Sequence, residues 1–474
     1  MKPNVLLLLI DSLRQDMCYG KNKTSITPNL DSIINQGTIF TQTISQASIT
    51  IPSLSSLFSG KYPFECTTLD NDFFNTVPDI DTFIEKFQDQ GYTTNAIIPE
   101  SLDYTNISKL FSNVELFDSF ATLYDGVGEQ VINKINNFKN EPWFLYVHLE
   151  DLHGHSVFHL QDGPKQFKDQ KYGKNPYARM QSAMDPWIGK IVKTLNENNT
   201  ILIITADHGS TAADFTDEMH EFSLNTAKIR DSQNGTMFKY SHKLVSKLPT
   251  KLTPIRKKLA GAYTNSKNKK IEKKLIPKLN EIDSMQLTPY QKRLLKKSVV
   301  YPRDCYDENF RPTLILYGYG IPKNKIFDEQ IGLIDIFPTI FDIAKLNLKN
   351  TFFGKSFLSL INGEKFDERP LMLDSATKES ESKHSDTIGI RTSKFKYFRD
   401  RLNTEKNIHL YDLQNDPSEE NNISKENPDL VQEMEMYLRK ISPRKNFSFK
   451  KTSQLSSSDE KKAKEILKKL GYIK

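Results

Sequence analysis

The sequence predicts an α/β fold built on a mainly parallel sheet, followed by a small antiparallel sheet subdomain. Three observations predict it. Residues 4–10, 143–149 and 200–205 are short apolar runs (NVLLLLI, WFLYVHL, TILIIT). Their length suits strands buried on both faces better than helices. Helical patterns separate them, as crossover connections between parallel strands require. Beyond about residue 376 the pattern changes to short strands at 387–392, 394–399 and 409–413.

Taken in order, the first strand delivers Asp11 at its C-terminal end, where open α/β sheets place their ligands. Thr27-Pro28-Asn29-Leu30-Asp31 opens a helix through about Gln36, and Gly37 stops it. Residues 38–43 read as extended, 79–90 as a helix, and 91–98 as a turn into a strand. The strand at 143–149 leads to Asp151, His153 and His155. A helix near 176–197 precedes the strand that delivers Asp207-His208-Gly209. From about 222 to 310 Lys and Arg dominate, and Thr288-Pro289 starts the clearest helix there. The sheet resumes at 312–318 and a helix begins at 334. Two closing helices are expected, near 428–440 and from the capping-box spacing at Ser457-Ser458-Asp459-Glu460. The domains expected are a catalytic unit over 1–375, carrying the basic insertion, and an α+β subdomain over 376–474.

The chain has 474 residues, 37% hydrophobic and 26% charged, which is the balance of a globular protein rather than a fibrous or membrane one. The net charge is +6, concentrated in the insertion. That stretch lacks nucleic-acid motifs and interleaved aromatics, so no nucleic-acid partner is expected. It reads as a solvated insertion, with peripheral contact to an anionic surface as the alternative. Cys18, Cys66 and Cys305 form neither a disulfide framework nor a metal pattern. The opening apolar run ends at Asp11, too early for a membrane span and without a cleavage site. A cytoplasmic protein is expected.

The chemistry centres on residues 48–63, SITIPSLSSLFSGKYP. Taken alone, a Thr ahead of a helix reads as a cap; the same place suits an activated nucleophile facing an anion. Asp11, Asp207 and His208 each sit where a buried strand runs out. With the Thr50 hydroxyl they form a mixed O/N set suited to a divalent cation. Such a cation would activate the hydroxyl and neutralise a phosphate or sulfate ester.

These residues resemble the sulfatase family of the alkaline phosphatase superfamily over nearly the whole chain. Pro3-Asn4-Val5-Leu6 to Asp11 is similar to its opening strand and first metal ligand, and Thr27-Pro28-Asn29-Leu30-Asp31 to its next signature. Thr50-Ile51-Pro52-Ser53 through Gly60-Lys61-Tyr62-Pro63 falls on the nucleophile motif, and Ala206-Asp207-His208-Gly209 on the second metal motif. Ile334-Asp335, Pro338-Thr339, Leu410-Tyr411-Asp412-Leu413 and the final Leu470-Gly471-Tyr472 resemble later landmarks. The resemblance implies an alkaline-phosphatase-like sandwich and an ester hydrolase with one divalent metal (Mn, Zn or Ca) on Asp11, Thr50, Asp207 and His208. It implies Thr50 as nucleophile and His153 as the residue facing the ester oxygen. His155, Lys61 and His220 are further substrate contacts, each also readable as an ordinary surface residue. His148, inside its strand, reads as a core histidine.

Several positions depart from the family. Thr50 stands where sulfatases carry the Cys or Ser converted to formylglycine, and a Thr β-carbon bears a methyl that forbids that aldehyde. Leu54 replaces an Arg, Ser12 a second Asp, and Asp207-His208 an Asp-Asn pair. No formylglycine is expected, and phosphodiester or phosphonate chemistry is favoured over sulfuryl transfer. The substrate expected is a sulfated or phosphorylated small molecule, glycan or lipid. The alternatives are a phosphoglycerol- or phosphoethanolamine-type or sulfo-group transferase to a glycan or lipid, and a non-catalytic anion-binding relative.

Overall fold

The computed structural model describes residues 2–70, 73–139, 141–153, 165–231, 273–300, 304–348, 352–375 and 387–442. The strands in chain order are β1 (Asn4–Ile10), β2 (Thr38–Ile44), β3 (Thr67–Asp70), β4 (Phe73–Thr76), β5 (Thr93–Pro99), β6 (Asn113–Phe117) and β7 (Trp143–Leu149). They continue with β8 (Thr200–Thr205), β9 (Leu314–Gly318), β10 (Lys325–Gly332), β11 (Leu371–Asp374), β12 (Thr387–Arg391), β13 (Phe395–Asp400) and β14 (His409–Asp412). Among the described residues eight strands form one sheet in the order β10-β2-β9-β8-β1-β7-β5-β6. All its pairings are parallel except those of β9, which runs against both β2 and β8. The mainly parallel sheet and the antiparallel one expected from sequence are both present, the latter as β11-β12-β13-β14.

Strand alternation explains why the apolar runs are continuous. Val5, Leu7 and Leu9 enter one core, whereas Leu6, Leu8 and Ile10 enter the core on the other face. The first core is rich in aromatics, including Phe58, Phe83, Phe87, Phe144 and Phe337. The second is closed by the helices Pro28–Gln36, Val127–Asn136 and Pro176–Lys193. Because β1 lies between β7 and β8 and runs parallel to both, the C-terminal ends of all three strands lie side by side. That adjacency collects the polar residues that follow them.

Several boundaries differ from expectation. The 79–90 helix is shorter, Phe83–Asp89, because Thr82 and Glu85 form a capping box that sets its start. The small sheet begins with β11, upstream of residue 376. The pairs β3–β4, β5–β6 and β2–β10 include strands too short or too polar to stand out by periodicity. The chain divides into two compact units, 1–213 with 303–474, and 214–302. In the smaller unit the Thr288 hydroxyl accepts from the Gln291 backbone N–H, and the Gln291 side chain returns the bond, so the expected cap is present. The closing helix expected from Ser457 lies outside the described residues.

Asp151, just past β7, is fully buried and its Oδ1 accepts from the Leu123 N–H at 3.1 Å. Burial outweighs that bond and pushes its carboxyl up to about 7. In the unfolded chain the same group ionises near pH 4, so between about 4 and 7 the folded state binds the extra proton. Stability contributed by this group is therefore present at low pH and lost as pH rises through 7, by up to about 4 kcal/mol. Asp151→Asn keeps the acceptor and removes the titration. Thermal unfolding across pH 4.5–8 should fall less steeply in the variant, and identical slopes would refute the assignment.

Candidate active site

The helix Thr50–Ser59 is buried at all ten positions, although six of them are Ser, Thr or Pro. Its serines form local bonds: Ser55 Oγ with Thr76 Oγ1 at 2.9 Å, and Ser59 Oγ to the Ser55 carbonyl at 2.6 Å. Phe58 packs edge-on against Tyr146 of β7, with ring centroids 5.1 Å apart. Gly60 ends the helix at φ 61°, a left-handed conformation that suits glycine, and a Cβ there would also strike the Phe83 ring at 2.8 Å.

The expected cap is corrected here. Ile49 is the N-cap and Thr50 is already helical, with no capping bond from either side chain. One residue of register frees the Thr50 hydroxyl, which lies 3.3 Å from Asp11 Oδ2 and 3.2 Å from His208 Nε2. The nucleophile loop is tied to the metal-motif loop by Ser53, which donates to the Asp207 carbonyl and pairs with Ser45 Oγ at 2.7 Å.

Asp11 and Asp207 are both completely buried, and with His208 their ligand atoms lie within 4.8 Å of one another. Ser12 replaces an acidic neighbour with two hydrogen bonds: its Oγ donates to Asp11 Oδ1 at 2.7 Å and its N–H to Asp207 Oδ1 at 3.3 Å. Asp207 Oδ2 has no hydrogen-bond partner among the described residues. Burial and the Asp11 charge both push the Asp207 carboxyl above its usual range. Burial acts on Asp11 in the same direction, but His148, His153 and His208 outweigh it and hold the carboxyl well below that range. Two fully buried carboxylates, with Asp207 Oδ2 only 3.3 Å from His208 Nε2, fit a bound cation. The His208 ring fits too. Its Nδ1 donates to the Gly209 carbonyl at 2.7 Å, leaving the Nε2 lone pair facing the site.

His148 is the residue that sequence reasoning missed. It lies on the same strand face as Tyr146, whose hydroxyl is 2.7 Å from His148 Nδ1. Burial raises the Tyr146 phenol well above its usual value, so it stays a donor. The imidazole proton then sits on Nε2, 3.5 Å from Asp11 Oδ2. A polar pair two residues apart in an apolar strand was the available signal, since both face the same side.

The remaining candidates divide clearly. His153 is half-buried after β7, its backbone N–H bonded to the Glu150 carbonyl at 3.0 Å. Burial lowers the pKa of its imidazole, and the charges of Asp11, Asp207, His148 and His208 all act on it. Lys61 is not brought to the cluster: it follows the C-terminal end of the helix that Thr50 begins, roughly 15 Å away by helical rise. His220 lies on the helix Asp217–Asp231 of the smaller unit. His155 lies outside the described residues. Leu54, at the family's Arg position, is fully buried in the apolar core and leaves no cation there.

The sulfatase family model matches residues 3–346, and that for the C-terminal region of N-sulphoglucosamine sulphohydrolase matches 299–444. Arylsulfatase K of Mus musculus is 22% identical over 473 residues, spanning 93% of this chain and 79% of that protein. BT4656, solved with its substrate D-glucosamine-2-N,6-O-disulfate, is similar at a TM-score of 0.60 and 17% identity, covering 94% of this chain and 99% of that one. The phosphonate monoester hydrolase of Agrobacterium radiobacter aligns with a TM-score of 0.60 at 14% identity, covering 94% and 96%. At these identities the solved structures share the fold. The family match spans well over half of the residues, so this chain belongs to the sulfatase family and is an ester hydrolase of the alkaline phosphatase superfamily.

Proposed function

We propose that this chain hydrolyses phosphodiesters or phosphonate monoesters with Thr50 as nucleophile and one divalent metal held by Asp11, Thr50, Asp207 and His208. The observation that carries the reading is the Thr50 hydroxyl itself, set between Asp11 Oδ2 and His208 Nε2. When bound, the metal would lower the hydroxyl pKa and offset the ester's negative charge. With its proton released to solvent, Thr50 Oγ1 attacks phosphorus in line, the Oγ1–P bond forms and the P–O bond to the leaving alcohol breaks. His153, brought to its protonated form by the incoming anion, supplies the leaving oxygen's proton. Water then attacks phosphorus and gives a proton to the now neutral His153, the Oγ1–P bond breaks, and Oγ1 takes a proton from solvent to restore the Thr50 hydroxyl.

Threonine is what favours phosphorus over sulfur. A formylglycine hydrate expels sulfate by collapsing to its aldehyde, so the bond broken is C–O. A threonine sulfate has no such exit. A threonine phosphate is cleared by attack on phosphorus. The similarity to a phosphonate monoester hydrolase supports this reading, and the glucosamine disulfate substrate of BT4656 supports an anionic sugar as the bearer of the ester. An anionic glycan or small molecule is therefore the proposed substrate class.

Two outcomes are expected. Metal-loaded protein given matched aryl sulfate, phosphate, phosphodiester and phosphonate esters should turn over the phosphorus esters. Intact mass after quenching should show a phosphoryl adduct that Thr50→Ala abolishes, with turnover falling more than roughly 10³-fold. Sulfate release without an adduct would overturn the preference for phosphorus. Replacing His153 by Gln should slow esters of poorly leaving alkyl alcohols roughly 10²-fold or more, and p-nitrophenyl esters far less. Equal losses on both would remove His153 from the proton-donor role.

A further inference from the structure

We propose that a buried ion cluster on the small antiparallel sheet positions the two catalytic loops, with Asp307 as its anchor and Arg391, Lys396 and Glu419 as its clamps. The inference rests on the site reading above for its functional consequence. Its structural core is the four-residue helix Asp307–Phe310, which holds both loops by backbone bonds. The Asn309 carbonyl accepts from the Gly209 N–H at 3.0 Å, next to the His208 imidazole that bonds the Gly209 carbonyl. The Phe310 carbonyl accepts from the Ser45 N–H at 2.8 Å, and Ser45 Oγ bonds Ser53 of the Thr50 helix. The contact at Gly209 is close: a Cβ there would lie 2.2 Å from the Glu308 carbonyl oxygen. Movement of the short helix would therefore be felt at His208 and Thr50 together.

The helix has little hold of its own, since four residues make few internal bonds. The cluster supplies it. Arg391 of β12 grips Asp307 with two bonds, Nε to Oδ1 at 3.0 Å and a terminal N–H to Oδ2 at 2.9 Å. Its remaining N–H groups donate to Gln330 of β10 and Gln42 of β2, each at 2.7 Å, so the guanidinium also ties the edge of the large sheet. Lys396 of β13, with no exposed surface, pairs with Asp307 and with Glu419 Oε1 at 2.8 Å. Glu419 Oε2 accepts from the Asp307 backbone N–H at 2.7 Å. A buried cluster of this kind gives little net stability against apolar replacement, but it specifies one geometry. Here the geometry specified is that of the segment carrying Gly209 and Ser45.

Asp307→Asn removes the anchor's charge at nearly constant shape. Asp307→Asn/Lys396→Met removes one charge of each sign and guards against a variant that fails to fold. Amide hydrogen exchange, read on metal-free protein without substrate, should rise about tenfold at Gly209 and Ser45 and stay unchanged in β1. In the same variants kcat on the phosphorus ester should fall about tenfold with little change in KM, and Mn²⁺ affinity should fall about tenfold as well. Asp307→Glu should restore part of each effect. A folded double variant with wild-type exchange at both amides would overturn the inference. Because exchange needs neither metal nor turnover, failure of the wild-type protein to hydrolyse any ester would sink the site reading alone.

Discussion

Two fully buried carboxylates at adjacent strand ends are the constraint on which this structure depends. Asp11 and Asp207 follow β1 and β8, which are parallel neighbours, and both side chains are fully buried. Like charges this close in a poorly solvated pocket are unfavourable unless a cation or proton intervenes. The surroundings bias the pair unequally. Three imidazoles stabilise ionised Asp11, whereas Asp207 keeps one oxygen without a hydrogen-bond partner among the described residues and is driven toward its neutral form. The pocket is thus electrostatically incomplete as a purely protein assembly, and a divalent cation, of the kind the sulfatase family generally uses, would complete it.

The fold makes that arrangement by simple means. Residues buried on both sheet faces are mostly apolar, so the carboxylates of Asp11 and Asp207 appear only where β1 and β8 leave the sheet. Parallel order then puts those carboxylates on one edge. The Thr50 helix approaches the same edge with its N-terminus, where free backbone N–H groups favour an anion. The candidate cation ligands and the N-terminus of the Thr50 helix therefore meet at one edge of the sheet.

Much of this was legible in the sequence because it is local. Residues 4–10, 143–149 and 200–205 declare themselves as buried strands, and Asp11, Asp207 and His208 stand at or just beyond their ends. What was not legible depends on single-residue register or on distant partners. Whether Thr50 caps its helix or begins it is one residue's difference, and that difference decides where the hydroxyl points. His148 resembles a core residue until β7 is seen beside β1 with Leu9 opposite it. The clamp on Asp307 joins residues 84 and 112 positions apart, and no periodicity links them. Glu419 lies in a turn, its N–H bonded to the Asp416 carbonyl at 3.0 Å, and only the structure shows its carboxylate buried against Lys396.

The departures from the family are coherent when taken together. Replacing Arg by Leu54 removes a cation that would have shared the anion's charge, and the apolar core absorbs the side chain. Replacing an acidic neighbour by Ser12 removes a negative charge from the same pocket and leaves hydrogen bonds to both Asp11 and Asp207. The two changes offset one another in charge. With Thr50 as the proposed nucleophile there is no aldehyde to regenerate, and the covalent intermediate would have to be one that water can open at its central atom. Phosphorus meets that requirement more readily than sulfur in a sulfate monoester, whose threonine ester would persist. The charge-compensated pocket and a threonine at position 50 both bear on the proposed phosphorus chemistry, and they do so through different residues.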